Sequence, residues 1–88
     1  MSNPYEVRIS ARAERVLLRL PEKIGAACLD FIFGPLAGEP HRLGGMPSGQ
    51  LTGLLSARRG SYRIIYSVDD ELLRIDVVHI DHRGGVYR

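Results

Sequence analysis

Residues 56–82 read SARRGSYRIIYSVDDELLRIDVVHIDH, and this stretch decides the fold. It is dense in Val, Ile and Tyr, which suit a pleated, half-buried surface, and it is broken twice by turn residues, at Gly60 and at Asp69–Asp70. Extended upstream to Leu51, it reads as three strands, 51–57, 62–68 and 72–80, joined by tight turns. Side-chain parity then sets the register, because a slip of one residue would move every side chain to the other face. With an even-numbered first turn such as Arg59–Gly60, Leu51, Leu55, Ala57, Tyr62, Ile64, Tyr66 and Val68 share an apolar face. A two-residue turn at Asp69–Asp70 adds Leu73, Ile75 and Val77 to that side.

Upstream, Tyr5, Val7 and Ile9 alternate with Glu6 and Arg8, the pattern of another strand. Ser10 is placed to cap a helix whose apolar positions are Ala13, Val16, Leu17 and Leu20. Pro21 opens a second helix with Ile24, Ala27, Cys28, Phe31 and Ile32 on one side, and Gly34–Pro35 are expected to end it. The Gly- and Pro-rich segment 36–49 reads as a crossing loop. The expected fold is therefore α+β: an N-terminal strand and a two-helix hairpin packed on one face of a mainly antiparallel four-stranded sheet, with residues 1–88 as a single domain.

Composition agrees with such a domain and limits its class. The 88 residues are 44% hydrophobic and 25% charged, which argues against disorder, and no apolar run approaches the length of a membrane span. The opening MSNPYEVRIS lacks the form of a secretion signal, so a cytoplasmic protein that does not enter a membrane is expected. Cys28, the one cysteine, can form no internal disulfide. The net charge of +2 and pI near 9.0 permit a nucleic-acid partner. Lys23 is the only lysine, and every other basic side chain is an arginine, whose planar fork matches phosphate.

The face opposite the apolar one carries Arg58, Arg63, Ile65, Ser67, Arg74 and Asp76 among others. Arg58 and Arg63 should lie close together, and like charges repel there unless an acid or an anion intervenes. Two readings stay open: Asp76 lies across from Arg63 and pairs with it structurally, or the arginines floor a phosphate site with Asp76 orienting one of them. The closing HIDHRGGVYR brings His79, Asp81, His82, Arg83 and Tyr87 into one short stretch, a set suited to cleaving RNA without a metal. No Glu or Cys completes a ligand set around His79 and His82, so neither a metal nor a cofactor is expected. By strict alternation His79 falls on the core side and reads as structural, whereas His82 lies beyond the regular strand.

The stretch SARRGSYRIIYSVDDE followed by HIDHRGGVY resembles the most recurrent part of RelE/ParE toxins of type II toxin–antitoxin systems, in which an R-x-G-[DS]-Y-R-[ILV]-[IL]-Y hairpin precedes a terminal H-R-x-x-[VI]-Y. LPEKI between the helices and the GEPHRLG crossing are similar as well. The resemblance implies a microbial-ribonuclease-like sheet and, in RelE-like members, a ribosome-dependent messenger endonuclease. Such an enzyme cuts in the A site by attack of a ribose 2′-hydroxyl on phosphorus, with no metal. It implies an antitoxin of the RelB or Phd kind as partner, in a hetero-oligomer that binds operator DNA, besides the ribosome and messenger RNA.

On that pattern Arg63 matches the arginine holding the scissile phosphate, Arg58 a basic position before the turn, and Tyr87 the tyrosine that stacks on substrate. His82 and Arg83 match the terminal acid/base and phosphate-binding groups. Ser56 and Arg58 stand where well-studied members keep two lysines, and arginine rarely yields its proton, so His82 becomes the expected acid or base. The competing expectations are a ParE-like toxin that inhibits DNA gyrase without cutting RNA and a member kept only as an interaction domain. His82 and Tyr87 favour the nuclease.

Overall fold

The computed structural model describes residues 4–45 and 53–82. Their elements are β1 (Glu6–Ile9), α1 (Ala11–Arg19), α2 (Glu22–Phe31), a π-helical turn (Ile32–Leu36), α3 (Pro40–Leu43), β2 (Leu55–Arg59), β3 (Tyr62–Asp69) and β4 (Arg74–His82). The four strands form one sheet in the order β1-β4-β3-β2, in which β1 runs parallel to β4 and the other pairs are antiparallel. The mainly antiparallel α+β arrangement expected from the pattern is the one found.

Helices cover one face of the sheet. Ala13 of α1, Cys28 of α2, and Ile32 and Leu36 of the π turn form one core with Ala57, Ile64, Tyr66, Ile75, Val77 and Ile80. The β2–β3 turn is Gly60–Ser61 rather than Arg59–Gly60, because Arg59 pairs with Tyr62. The turn keeps an even number of residues, so the face assignment of both strands survives. Gly60 takes φ +62 while Ser61 stays at negative φ, the glycine-first order used by hairpin turns that follow the twist of the sheet.

Three expectations fail. Gly34–Pro35 do not end the second helix: Pro35 lacks an N–H, and the chain widens into the π turn, with the Ala37 N–H reaching back to Ile32 O. The segment after Leu36 is not a plain loop, since Pro40 starts the short α3. The β3–β4 connection is longer than two residues, because Asp69 pairs with Arg74 and the Asp69 carboxylate accepts the N–H groups of Glu71 and Leu72. Leu73 consequently sits in the turn at φ 52 and is 46% exposed, outside the core. Leu51 lies outside the described residues.

Two polar ties hold the connecting segments. Asp70 in the β3–β4 turn accepts the Tyr5 hydroxyl at 2.6 Å and meets His41 Nε2 at 2.9 Å, joining the start of the chain to α3. The Tyr5 hydrogen bond, with that of His41, draws the Asp70 carboxyl below its ordinary range and raises the Tyr5 phenol. The second tie is buried: Tyr66, in the middle of β3, donates its hydroxyl to Pro40 O at 2.6 Å. Gly44 passes so close to that hydroxyl that any Cβ there would collide with it.

Burial pushes the Tyr66 phenol from 10.0 up to about 12. Because the folded value lies above the unfolded one, its stabilisation is complete below pH 10 and disappears as pH climbs toward 12, a loss of about 3 kcal/mol. Tyr66→Phe should cost about 1–3 kcal/mol at neutral pH, since Pro40 O loses its donor. It should also remove this part of the alkaline loss. Urea midpoints of both proteins at neutral pH and at pH 11.5 check the two effects; equal alkaline losses would contradict the assignment.

Candidate nucleic-acid interface

The face of the sheet that no described helix covers is built by β2, β3 and the second half of β4, with Ile65 buried at its centre. Arg58 stands directly opposite Arg63 in the register, and Arg63 stands opposite Asp81. Asp76, which the sequence placed across from Arg63, instead faces Ser67 and lies 3.4 Å from Arg74. The structural pairing of Arg63 with Asp76 is therefore replaced. Among the described residues, neither Arg58 nor Arg63 has a carboxylate within salt-bridge distance.

A β-bulge causes the reassignment. Tyr66 pairs with Val77 and Ile65 with His79, which leaves Val78 as an extra residue on β4. Beyond it the parity of β4 reverses: Ile80 is buried under the helices, and His79 moves to the uncovered face instead of the core. Ser10 pins the bulge. Its hydroxyl donates to Val78 O at 2.9 Å while accepting the Ala13 N–H at 3.0 Å, and its own N–H donates to Val77 O. The cap of α1 and the kink of β4 are thus one hydrogen-bonded unit.

On the uncovered face His79 Nε2 lies 2.6 Å from Asp81 Oδ1. His82 goes the other way. It pairs with Tyr62 and stacks on it, with ring centroids 4.4 Å apart and planes 18° from parallel, on the side of the sheet that the helices cover. The expected gathering of His82 with Arg58 and Arg63 on bare sheet is not found. Arg83 and Tyr87 lie outside the described residues. Sequence reasoning missed His79 and Asp81 as members of the open face. A signal was present, because the apolar positions of β4 run Ile75, Val77, Ile80, a step of two followed by a step of three.

Charge is distributed unevenly on this face. Along β1 and the start of β4, Glu6 pairs with Arg74 and Arg8 with Asp76 in the register, so opposite charges alternate. At the other end, around the Gly60–Ser61 turn, Arg58 and Arg63 outnumber Asp81, which is itself engaged with His79. Arg58 and Arg59 also border a shallow groove of about 460 Å³ with Ala27, Asp30, Phe31 and Pro35. On the helical side of the same turn, Lys23, Ile24, Cys28, Arg59 and Tyr62 enclose a pocket of about 280 Å³, where burial pushes the Cys28 thiol up and Arg59 partly offsets the rise. A cation-rich end of a sheet can hold a chain of phosphates.

Residues 7–87 match the family described as the ParE toxin of type II toxin–antitoxin systems, parDE. The chain belongs to this toxin family. It is 54% identical over 86 residues to Toxin RelE of Mycobacterium tuberculosis, a match covering 98% of this chain and 89% of the relative. It is 45% identical over 85 residues to Toxin RelG of the same organism, covering 97% and 98%. The crystal structure of the toxin–antitoxin complex RelBE2 from M. tuberculosis superposes with a TM-score of 0.87 at 43% identity, covering 96% of this chain and 97% of that one. The protein is thus a type II toxin of the RelE type.

Facing arginines weaken the sheet. Arg58→Ser should stabilise the isolated toxin by about 0.2–1 kcal/mol at low ionic strength, the usual scale of a cross-strand pair. The gain should shrink as salt screens the repulsion. Thermal midpoints at low and high salt measure it, and an equal or lower midpoint at low salt would contradict the repulsion.

Proposed function

We propose that this toxin is an endoribonuclease that cuts messenger RNA in the ribosomal A site and thereby halts translation. The observation that carries the reading is the pair of facing arginines, Arg58 and Arg63, on uncovered sheet with no carboxylate partner among the described residues. Two facing guanidinium groups that repel each other become favourable once a phosphate lies between them. Arg63, half-buried and central, holds the scissile phosphate and stabilises the charge that grows on it as the 2′-oxygen attacks; Arg58, exposed on the edge strand, holds a neighbouring phosphate. Arg83 and Tyr87 enter this reading, on the resemblance alone, as a phosphate-binding group and a substrate-stacking group. The acid/base role expected of His82 is not retained, because its ring is engaged with Tyr62 away from Arg63.

The natural inhibitor in this reading is an antitoxin of the RelB or Phd kind, bound in a cytoplasmic hetero-oligomer that also binds operator DNA. The RelBE2 structure is, by its own description, a toxin–antitoxin complex. An acidic antitoxin segment laid over the arginines would satisfy them as RNA does. It would also stabilise a small domain by mass action.

The test is messenger cleavage on isolated ribosomes with mapping of the new ends. Wild-type toxin should leave 2′,3′-cyclic phosphate and 5′-hydroxyl ends without added metal. Arg63→Ala should lower the single-turnover rate by about 100- to 1000-fold, the scale of losing one donor to a developing anion. Arg58→Ala should act mainly on binding and its salt dependence. Intact messenger at growth-arresting doses, together with inhibition of gyrase supercoiling, would replace this reading with that of a gyrase poison.

A further inference from the structure

We propose that Asp81 is the general base of the reaction and that His79 is the residue that positions it; this inference rests on the nuclease reading above. Asp81 is the one carboxylate that the register places opposite Arg63, so a phosphate held by Arg63 lies beside it. The bulge at Val78 puts His79 on the same face two residues away, with its Nε2 2.6 Å from Asp81 Oδ1. His79 Nδ1 is buried and has no hydrogen-bond partner, so the ring proton is assigned to Nε2, where Asp81 accepts it.

Exposure divides the roles. The His79 side chain is 23% exposed and its free nitrogen is sealed, whereas Asp81 is 43% exposed and only its Oδ1 is engaged by His79. The carboxylate is thus the group that can meet substrate, and the imidazole acts through it. His79 also occupies Asp81 so that it does not close onto Arg63, and no ion pair joins these two residues. The arginine keeps its guanidinium for the phosphate, and the carboxylate keeps an oxygen for a proton.

In the reaction, Asp81 takes the proton of the ribose 2′-hydroxyl as that oxygen forms a bond to phosphorus. The bond from phosphorus to the 5′-oxygen breaks, and its electron pair leaves on that oxygen, which takes a proton from water. Asp81 then returns its proton to solvent. The products are a 2′,3′-cyclic phosphate and a 5′-hydroxyl, with no net gain or loss of atoms or electrons. General-base assistance of this kind contributes about 100- to 10,000-fold.

The experiment is single-turnover cleavage of messenger on programmed ribosomes at saturating toxin, with ribosome affinity measured in parallel and folding checked by circular dichroism. Asp81→Asn should lower the rate at saturation by about 100-fold or more while leaving affinity equal or tighter, since a negative charge leaves a phosphate site. His79→Leu should lower the rate about tenfold or more at unchanged affinity. His79→Gln, which can still donate an N–H to Asp81, should recover most of it. That rescue separates positioning from mere support of the sheet.

Arg63→Ala runs beside them as the control for the site. If Arg63→Ala is inactive while Asp81→Asn keeps its rate within about threefold, the general-base assignment is overturned and the nuclease reading stands. If His79→Leu keeps the full rate, the positioning role is overturned. If wild-type toxin cuts nothing, both readings fall together.

Discussion

The carbonyl of Val78 is the point on which the rest of the site depends. It belongs to a residue with no partner in the β3–β4 ladder, and it is satisfied by the hydroxyl of Ser10, which at the same time caps α1. A backbone acceptor left without a partner inside a protein is costly, so the first helix and the distorted strand fix one another. Because the extra residue is held there, the last part of β4 turns over. Ile80 goes down into the core, and His79 and Asp81 come up beside Arg63. Without that insertion a straight strand would bury a histidine and expose an isoleucine.

The open face divides between cohesion and chemistry. Where β1 meets β4, acids and arginines alternate and the surface is nearly neutral. Around the hairpin turn, arginines face one another across the ladder and contribute repulsion instead of stability. A sheet tolerates this only because its other face is well packed: Ile64, Tyr66, Ile75 and Val77 are fully buried beneath the helices. Small domains have little stability in excess, so packing on the reverse side has to offset this repulsion. Strain of this kind is relieved when an anion arrives.

Much of this was legible from residue order alone. Alternation in 55–68 identified the core face of β2 and β3 correctly, and the even-numbered turn made that result robust to the exact turn residues. Ser10 as a cap and the pairing of Arg58 near Arg63 were also readable. What escaped were features that depend on contacts distant in sequence. A bulge at Val78 is stabilised by Ser10, 68 residues away, and nothing local to VVHI demands it. The π turn at Ile32–Leu36 likewise continues a helix through a Gly–Pro pair that would ordinarily stop one, because Ile32 and Leu36 are both fully buried in the core. His82 was drawn toward the arginines by its place in the sequence, whereas the register sends it to Tyr62.

The parallel pairing of β1 with β4 joins the first strand of the fold to the last, and β4 lies between β1 and β3 in the sheet. The nascent chain therefore cannot close its core, or gather Arg63 with Asp81, before residues 74–82 have emerged from the ribosome that makes it. Such long-range closure slows folding relative to a chain of local contacts. Under the proposed function, that delay means no competent molecule exists until β4 has been made, and an inhibitor already present can meet the chain as it folds.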